Sequence, residues 1–332
     1  MTSDLVLLAV GVALLVKGGD LFVSSAVRIA GFLQLPNVVI GSTLVSLATT
    51  TPEMVVAIVA ATRGNADLAL GNSVGSTICN IGLILGLSAT LRPIYLHPKS
   101  LRTAVLTMVG LGGALVLLTL DLSLERGEGV LLILAGVGYF AYDFMAAARE
   151  PKPVEIAEAK AITQEMTRPA AWLATRAGTA TQFTFAAGLV ILSSRIVVDS
   201  AVGLAAAWGV PPLVIGLTVV ALATSLPELA TAVSSARRGV SDLSVGNIVG
   251  ANIANLSLIV GAAAAIAPVT VDKVTQRFDF PAMLVLMAAL GWSLWTRSRL
   301  SRLEGGVLLF AYAGYIGMVL VLVLSGSRPD LS

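Results

Sequence analysis

The sequence predicts an all-α membrane protein in which ten transmembrane helices form two inverted five-helix repeats. Three observations predict this fold: a very apolar composition, ten apolar stretches of spanning length, and a long internal repeat. Of the 332 residues, 56% are hydrophobic and only 12% are charged, whereas a soluble domain carries about 25% charged residues. One soluble core cannot bury so many apolar side chains, so we expect a lipid bilayer to be the solvent.

Ten stretches of the chain provide the roughly 20 mostly apolar residues that a helix needs to cross a bilayer. They lie at about 4–33, 37–62, 68–91, 101–120, 128–148, 180–207, 212–236, 243–267, 279–297 and 305–325. The longest polar stretch, residues 149–168, separates the fifth helix from the sixth. We therefore divide the chain into a first five-helix repeat at 1–148, a cytoplasmic linker at 149–172 and a second five-helix repeat at 173–332.

The internal repeat relates residues 36–86 to residues 211–261 by a constant shift of 175 positions. Without a gap, 26 of the 51 aligned positions are identical. Five predicted helices separate the two copies, and this odd number makes the copies enter the membrane from opposite sides. Inverted pairs of broken helices that meet near the bilayer midplane are typical of secondary transporters.

The charges in the loops predict the orientation. Thirteen Lys and Arg residues lie in the loops after helices three, five, seven and nine, against five on the opposite side. Because cytoplasmic loops are enriched in these residues, we expect a multi-pass protein of the cell (inner) membrane with both termini outside. A net charge of +2 gives no indication of nucleic-acid binding, and the single Cys79 and single His97 disfavour a disulfide framework or a His-based metalloenzyme.

A proline followed by a glutamate lies in the middle of the second and seventh predicted helices, at Pro52–Glu53 and Pro227–Glu228. Proline has no N–H, so a backbone carbonyl one turn earlier loses its helical partner. A carboxylate at the bilayer centre costs about 2.5–3.5 kcal/mol, and a bound cation is the simplest compensation. The alternatives are a plain proline kink and a pair of protonated structural glutamates.

Further oxygen-bearing side chains accompany the two glutamates at nearby, mostly matching positions of the repeat. They are Thr49, Thr50, Ser76 and Asn80 in the first copy, and Thr224, Ser225 and Asn255 in the second. Calcium takes about 6–8 oxygen ligands, and soft transition metals are disfavoured by this ligand set. The sequence therefore predicts a Ca²⁺ site whose oxygens also serve Na⁺.

These motifs resemble those of the cation/calcium antiporter superfamily, that is, the sodium/calcium exchanger family. Its two repeats carry Gly-Thr-Ser-Leu-Pro-Glu on one helix and Gly-Asn-x-x-Gly-Ser-Asn-x-x-Asn/Asp on the next. Residues 223–228 read Ala-Thr-Ser-Leu-Pro-Glu and match closely, whereas residues 48–53 read Ala-Thr-Thr-Thr-Pro-Glu and match more loosely. Residues 71–80 and 246–255 match the second motif.

The resemblance implies a role for each matching position. Glu53 and Glu228 would bind Ca²⁺ and share Na⁺. The remaining implied ligands are the side chains of Thr49, Thr50, Ser76, Asn80, Thr224, Ser225 and Asn255 and the backbone carbonyls near Ser46 and Ala221. The resemblance further implies that helices one and six slide across the other helices to alternate access.

Two departures from the family pattern leave the coupling ion open. Asn255 stands where many exchangers have Asp, and Ala251 stands where they have Ser. The site then keeps two carboxylates, which neutralise one Ca²⁺, two Na⁺ or two H⁺. We expect Ca²⁺/Na⁺ antiport by alternating access, and Ca²⁺/H⁺ exchange on the same scaffold is the alternative.

Other classes of function fit less well. A cation channel is disfavoured because channels usually repeat a filter around an axis normal to the membrane. An intramembrane hydrolase is disfavoured because no activated serine, Gly-x-Gly-Asp pair or His-Glu-x-x-His motif is present. We therefore expect no enzymatic activity and no cofactor apart from the transported ions, in a monomer or weak homo-oligomer within the bilayer.

Overall fold

The computed structural model describes residues 2–64, 66–95, 98–149, 171–207, 225–297 and 299–324. Within these ranges, eight unbroken helical stretches and one bent pair are long and apolar enough to cross a membrane. The chain is therefore an all-helical, multi-pass membrane protein. The predicted site residues Ala221 and Thr224, and residues 150–170 of the predicted linker, lie outside the described residues.

The first half of the chain contains helices α1 to α8 and two short strands. Their bounds are α1 Thr2–Leu33, α2 Asn37–Ile40, α3 Ser46–Thr49, α4 Thr51–Thr62, α5 Ala66–Cys79, α6 Gly86–Leu91, β1 Ile94–Tyr95, α7 Pro98–Leu118, β2 Ser123–Leu124 and α8 Arg126–Arg149. One π-helical turn, Gly41–Val45, joins α2 to α3, and another, Asn80–Leu85, joins α5 to α6. The predicted second helix is thus a broken span, bent by 45° between α3 and α4.

The described part of the second half contains helices α9 to α14 and two further strands. Their bounds are α9 Arg176–Ala207, α10 Leu226–Arg238, α11 Ser241–Ala254, α12 Val260–Ile266, β3 Val269–Thr270, α13 Phe280–Arg297, β4 Arg299–Leu300 and α14 Arg302–Leu324, with a 3-10 turn at Ala171–Ala174. A π-helical turn at Asn255–Ile259 joins α11 to α12, and another at Thr275–Asp279 precedes α13. Asn80 and Asn255, which occupy matching positions of the repeat, therefore both begin a π turn, a feature frequent at functional sites.

The continuous spans α5–α6 and α11–α12 form the centre of the molecule. Their most apolar segments are 72% and 83% buried, whereas those of α8 and α14 are 17% buried. Large apolar side chains such as Leu134 and Phe310 project from these outer helices. This distribution suits a protein whose periphery contacts lipid and whose backbone hydrogen bonds are made within helices.

Two close glycine contacts join the halves of the chain in matching ways. A Cβ atom added at Gly261 of α12 would lie 2.6 Å from the carbonyl oxygen of Gly129 of α8. A Cβ atom added at Gly86 of α6, which matches Gly261 in the repeat, would lie 3.0 Å from the carbonyl oxygen of Gly305 of α14. Small residues allow membrane helices to approach this closely, so each half holds the outer helix of the other.

The four strands form two antiparallel pairs that also connect the halves. Strand β1 pairs with β4, with Ile94 opposite Leu300. Strand β2 pairs with β3, with Ser123 opposite Thr270. Ile94 and Val269 are related by the shift of 175, so the equivalent strands β1 and β3 each take their partner from the opposite half.

Candidate cation site

The two glutamates occupy the same position in α4 and α10, two helices that begin after matching residues, Thr50 and Ser225. Thr50 and Ser225 leave helical geometry, with φ and ψ near −84° and 2° and near −90° and 6°. Thr50 and Ser225 each lie two residues before a proline, so both prolines fall in the first turn of a helix. In the first half, where the preceding residues are described, Pro52 thus opens a new helix instead of kinking a continuous one. Proline suits the first helical turn because its missing N–H would have no partner there.

Both carboxylates are buried and near each other. Glu53 and Glu228 each expose 1% of their surface, and they lie close enough to repel each other electrostatically. Each lies in the first turn of its helix, where the helix dipole favours a negative charge. That dipole does not remove the repulsion between two carboxylates in an apolar interior, which a cation or protons would relieve.

The two π turns that begin at Asn80 and Asn255 pack crosswise on the helices that carry the glutamates. The Asn80–Leu85 turn packs on α10, which carries Glu228, while the Asn255–Ile259 turn packs on α4, which carries Glu53. Asn80 and Asn255 each expose 1% of their surface. The contacts thus gather carboxylate and amide side chains from both halves in the protein centre.

Buried oxygen atoms without a hydrogen-bond partner distinguish this centre. Within the described residues these atoms include Glu53 Oε2, Glu228 Oε1 and Oε2, Asn80 Oδ1, Asn255 Oδ1 and Ser225 Oγ. Leaving one such buried acceptor unpaired costs about 1–3 kcal/mol. Carboxylate, amide and hydroxyl oxygens are the ligands of hard cations such as Ca²⁺, so this donor set fits a cation.

The carbonyl of Ser46 is a weaker candidate than the sequence predicts. It accepts hydrogen bonds from the Thr50 backbone N–H at 2.9 Å, the Thr50 hydroxyl at 2.8 Å and the Thr49 hydroxyl at 3.2 Å. A carbonyl oxygen has two lone pairs, so Ser46 could coordinate a cation only after releasing some of these donors.

Close packing between α11 and the broken second span brings Thr49 to the site. A Cβ atom at Gly246 would collide with the carbonyl oxygen of Val38, and one at Gly250 with that of Ser42. Membrane helices use this Gly-x-x-x-Gly spacing for close packing. Because the backbones touch here, the Thr49 hydroxyl reaches the Asn247 side chain at 3.2 Å. In the other copy, a Cβ atom at Gly71 or Gly75 would meet no heavy atom of the described residues within 4 Å.

Three side chains that the sequence did not single out complete the polar network. Asn252 Oδ1 accepts a hydrogen bond from Asn80 Nδ2 at 2.9 Å, which turns Asn80 Oδ1 away from this contact. Asn247 Nδ2 donates to the Thr231 hydroxyl at 2.8 Å. Asn247 recurs as Asn72 in the repeat, and this recurrence could have identified it from the sequence. Asn252 and Thr231 match Thr77 and Val56, so neither residue type recurs in the other copy.

A small gap, too narrow for a water molecule, lies between α1, α9 and the break of the second span. It is lined by Phe22, Ala48, Thr49, Ala187, Val190, Ile191 and Pro227. The lining thus combines the two long helices with residues beside both breaks.

The structure brings together most of the predicted ligands. The elements that carry Glu53, Glu228, Asn80 and Asn255 pack on one another crosswise, and the two carboxylates lie close enough to repel each other. Thr49, Thr50, Ser46, Ser76 and Ser225 are all buried on the same broken or central helices. Thr49 also lies close enough to Glu228 to interact with it across the halves.

Comparison with known proteins supports the motif assignment. The family model described as sodium/calcium exchanger protein matches the chain twice, at residues 3–145 and 179–321. Inner membrane protein YrbG of Escherichia coli is 35% identical over 306 residues, covering 91% of this chain and 92% of that protein. Sodium/calcium exchanger MaX1 of Methanosarcina acetivorans is 29% identical over 345 residues, covering 95% and 98%.

Solved structures with the same fold include the sodium-calcium exchanger NCX_Mj soaked with Na⁺ and Sr²⁺. That structure has a TM-score of 0.80 and 25% sequence identity, covering 95% of this chain and 97% of that one. The putative antiporter CaxA of Alkalimonas amylolytica is 35% identical over 314 residues, covering 92% of this chain and 95% of the relative. With both halves matched by the family model, the chain belongs to the sodium/calcium exchanger protein family.

Proposed function

We propose that this protein is a secondary active antiporter that exchanges Ca²⁺ for Na⁺ by alternating access. The observation that carries the proposal is the cluster of buried, unpaired oxygens around Glu53 and Glu228. The names of MaX1 and NCX_Mj as sodium/calcium exchangers support the same ion pair. The transported ions are substrates, and the proposal includes no resident cofactor and no catalytic step.

The proposed architecture is ten transmembrane helices in two inverted five-helix repeats, 1–148 and 173–332, joined by a cytoplasmic linker at 149–172. The eight spans and the one bent pair account for nine of the ten predicted spans. Helix α10 forms the second part of the remaining one, the predicted seventh span. The double match of the family model supports the same division into halves.

The strand pairs support inversion. Strand β1 follows α6, β2 follows α7, and β3 follows α12, with β1 paired to β4 and β2 paired to β3. Helix α7 crosses the membrane between β1 and β2, so the two strand pairs belong on opposite faces. The matching helices α6 and α12 then end on opposite faces, as an inverted repeat requires.

In the proposed site, Glu53 and Glu228 bind Ca²⁺ and share Na⁺. The further proposed ligands are Thr49, Thr50, Ser76, Asn80, Thr224, Ser225 and Asn255, with backbone carbonyls near Ser46 and Ala221. Two carboxylates balance one Ca²⁺ or two Na⁺, so a third Na⁺ would leave an excess positive charge in a region of low dielectric. We therefore propose electroneutral exchange of two Na⁺ for one Ca²⁺.

Exchange of Ca²⁺ for protons is the second candidate. Asn255 cannot ionise, and Ala251 offers no hydroxyl to a Na⁺ ion. Both features reduce the oxygens available to Na⁺ while leaving two carboxylates that can carry protons. The same helices and the same Ca²⁺ ligands would serve either exchange.

The proposed location is the inner membrane, with both termini outside and the chain monomeric or weakly homo-oligomeric. The name of YrbG as an inner membrane protein supports this membrane. The thirteen basic residues in alternate loops, against five opposite, support the orientation.

Uptake of radioactive Ca²⁺ into proteoliposomes tests the proposal. Vesicles loaded with Na⁺ should take up Ca²⁺ when diluted into Na⁺-free buffer, and K⁺-loaded vesicles should not. Uptake driven only by a proton gradient would favour the second candidate. Absence of Ca²⁺ uptake under both gradients would contradict both candidates.

A further inference from the structure

Asn247 lies on α11 between the two halves of the candidate site. Its side chain is buried, with 1% exposure. It contacts Thr49 of the first half and Thr231 of the second, at 3.2 Å and 2.8 Å. Asn247 itself is not one of the Ca²⁺ and Na⁺ ligands proposed above.

The donors and acceptors in this contact have a single direction. The Thr231 hydroxyl donates its only proton to the carbonyl of Glu228 at 2.8 Å. It must therefore accept from Asn247, which turns the Nδ2 group of the amide toward Thr231 and the Oδ1 atom toward Thr49. The Thr49 hydroxyl has Asn247 Oδ1 and the Ser46 carbonyl as acceptors, each 3.2 Å away, and the Glu228 carboxylate lies within reach as a third.

From this arrangement we infer that Asn247 is a positioning residue for cation binding. Its Oδ1 atom competes with the Glu228 carboxylate for the Thr49 proton, and accepting that proton leaves the lone pairs of the Thr49 hydroxyl available to a cation. Through Thr231 it also ties that hydroxyl to the first turn of α10, which carries Glu228. The inference rests on the proposed function and assigns to Asn247 an action through Thr49, with no direct contact to the ion.

Among the described residues, the matching positions of the other half lack the hydroxyl that completes this connection. The position that matches Thr231 is Val56, whose side chain has no hydroxyl to accept from Asn72, the match of Asn247. Thr231 is 1% exposed, whereas Val56 is 49% exposed. We therefore expect the orientation of Thr49 to depend on Asn247 and Thr231 more strongly than any ligand depends on Val56.

Cation-dependent thermal stabilisation of the purified full-length protein, titrated with Ca²⁺ and separately with Na⁺, tests the inference. We expect Asn247→Leu to raise the Ca²⁺ dissociation constant about tenfold, as loss of one buried hydrogen bond predicts. Thr231→Val should raise the Ca²⁺ dissociation constant about threefold. Thr231→Ser keeps the hydroxyl and should leave this constant at the wild-type value. Ser244→Ala removes another buried hydroxyl from the same helix and should leave the constant unchanged.

A Thr49→Val background separates positioning from general loss of packing. If Asn247 acts through Thr49, Asn247→Leu should add less than twofold to the effect of Thr49→Val. Full additivity, or equal constants for Thr231→Val and Thr231→Ser, would overturn the inference while the wild-type titration still upheld cation binding. The Thr231 pair decides the question if Asn247→Leu does not fold, and a wild type that binds neither ion would overturn the proposed function as well.

Discussion

Helices α4 and α10 carry the same Pro-Glu motif at the same position, yet the structure surrounds them differently. Helix α10 is covered by α1: Asp20 accepts a hydrogen bond from the Ser234 hydroxyl at 2.6 Å and lies 3.6 Å from Arg238. Helix α4 instead exposes Val55 and Val59, at 51% and 41%. The two Pro-Glu motifs thus carry equivalent carboxylates, but α1 covers α10, whereas α4 has exposed apolar side chains.

The sequence explains this difference at matching positions. Ser234 of α10 corresponds to Val59 of α4, and Asp20 of α1 corresponds to Arg195 of α9. If α9 covered α4 as α1 covers α10, Arg195 would meet Arg63, the match of Arg238, and two positive charges would repel each other. The contact between Asp20 and Arg238 therefore belongs to one arrangement of the helices and has no counterpart in its mirror arrangement.

The largest expected effect is at the carboxylates, where the halves are alike. Glu53→Gln and Glu228→Gln should each reduce Ca²⁺ uptake by proteoliposomes at least 100-fold, because removal of one buried charge leaves a divalent cation uncompensated. Glu125→Gln, at an exposed position, is the matched control and should retain wild-type uptake. Wild-type transport in either site variant would remove that glutamate from the site.

The next effect tests the close packing that brings Thr49 beside Asn247. Gly250→Ala places a Cβ atom against the Ser42 carbonyl and should lower the stability by about 1–3 kcal/mol. The loss should appear as a lower midpoint in thermal unfolding of the detergent-solubilised protein. In Gly138→Ala a Cβ atom meets no heavy atom within 4 Å among the described residues, so equal losses in the two variants would contradict the packing explanation.

Breaking the contact that only α10 possesses should have an intermediate effect. In the proposed orientation, α10 ends at the cytoplasmic face, and the contact of Asp20 with Arg238 would then favour closure on that face. Asp20→Asn should therefore reduce the population of the outward-open state. Because apparent affinity follows the population of the state that binds, the Ca²⁺ concentration for half-maximal binding should rise about threefold at the outer face and fall at the cytoplasmic face.

Initial rates measured in proteoliposomes of defined orientation, with Ca²⁺ added on one face at a time, give both constants. Arg195→Gln changes the matching position of α9 and is the control. A shift of the same size and sign in both variants would show that the two halves do not differ at this contact.

The smallest expected effect comes from giving α4 the residue of α10. Val56→Thr supplies the hydroxyl that Thr231 supplies in the second half, but the side chain of Val56 is 49% exposed. A threonine there can bond a carbonyl of its own helix, so Ca²⁺ affinity by thermal titration should change less than twofold. A change as large as that of Thr231→Val would indicate that α4 also contributes an oriented network.

Much of this site follows from the sequence because the repeat doubles each signal. The paired Pro-Glu motifs predict two broken spans and two buried carboxylates, and Asn80 and Asn255 recur at one position. The asymmetric contacts leave no such signal. The hydrogen bond between Asn80 and Asn252 joins the two halves, but Asn252 matches Thr77 in the repeat. Asp20 likewise contacts α10 across the halves, but its match is Arg195.

Backbone geometry was the least predictable part. Proline in the middle of an apolar stretch indicates a kink, but it does not reveal that the break falls at Thr50 and Ser225. Nor does composition indicate that three donors converge on the Ser46 carbonyl. These features depend on how hydroxyl groups compete for carbonyls within one turn, which sequence spacing does not determine.

The most direct test of a cation site between Glu53 and Glu228 is equilibrium binding of radioactive Ca²⁺ to the purified protein. We predict one Ca²⁺ bound per wild-type chain, displaced by added Na⁺ or by lowered pH, and loss of this binding in both Glu53→Gln and Glu228→Gln. Undiminished Ca²⁺ binding to the Glu53→Gln/Glu228→Gln double variant would contradict the proposed site.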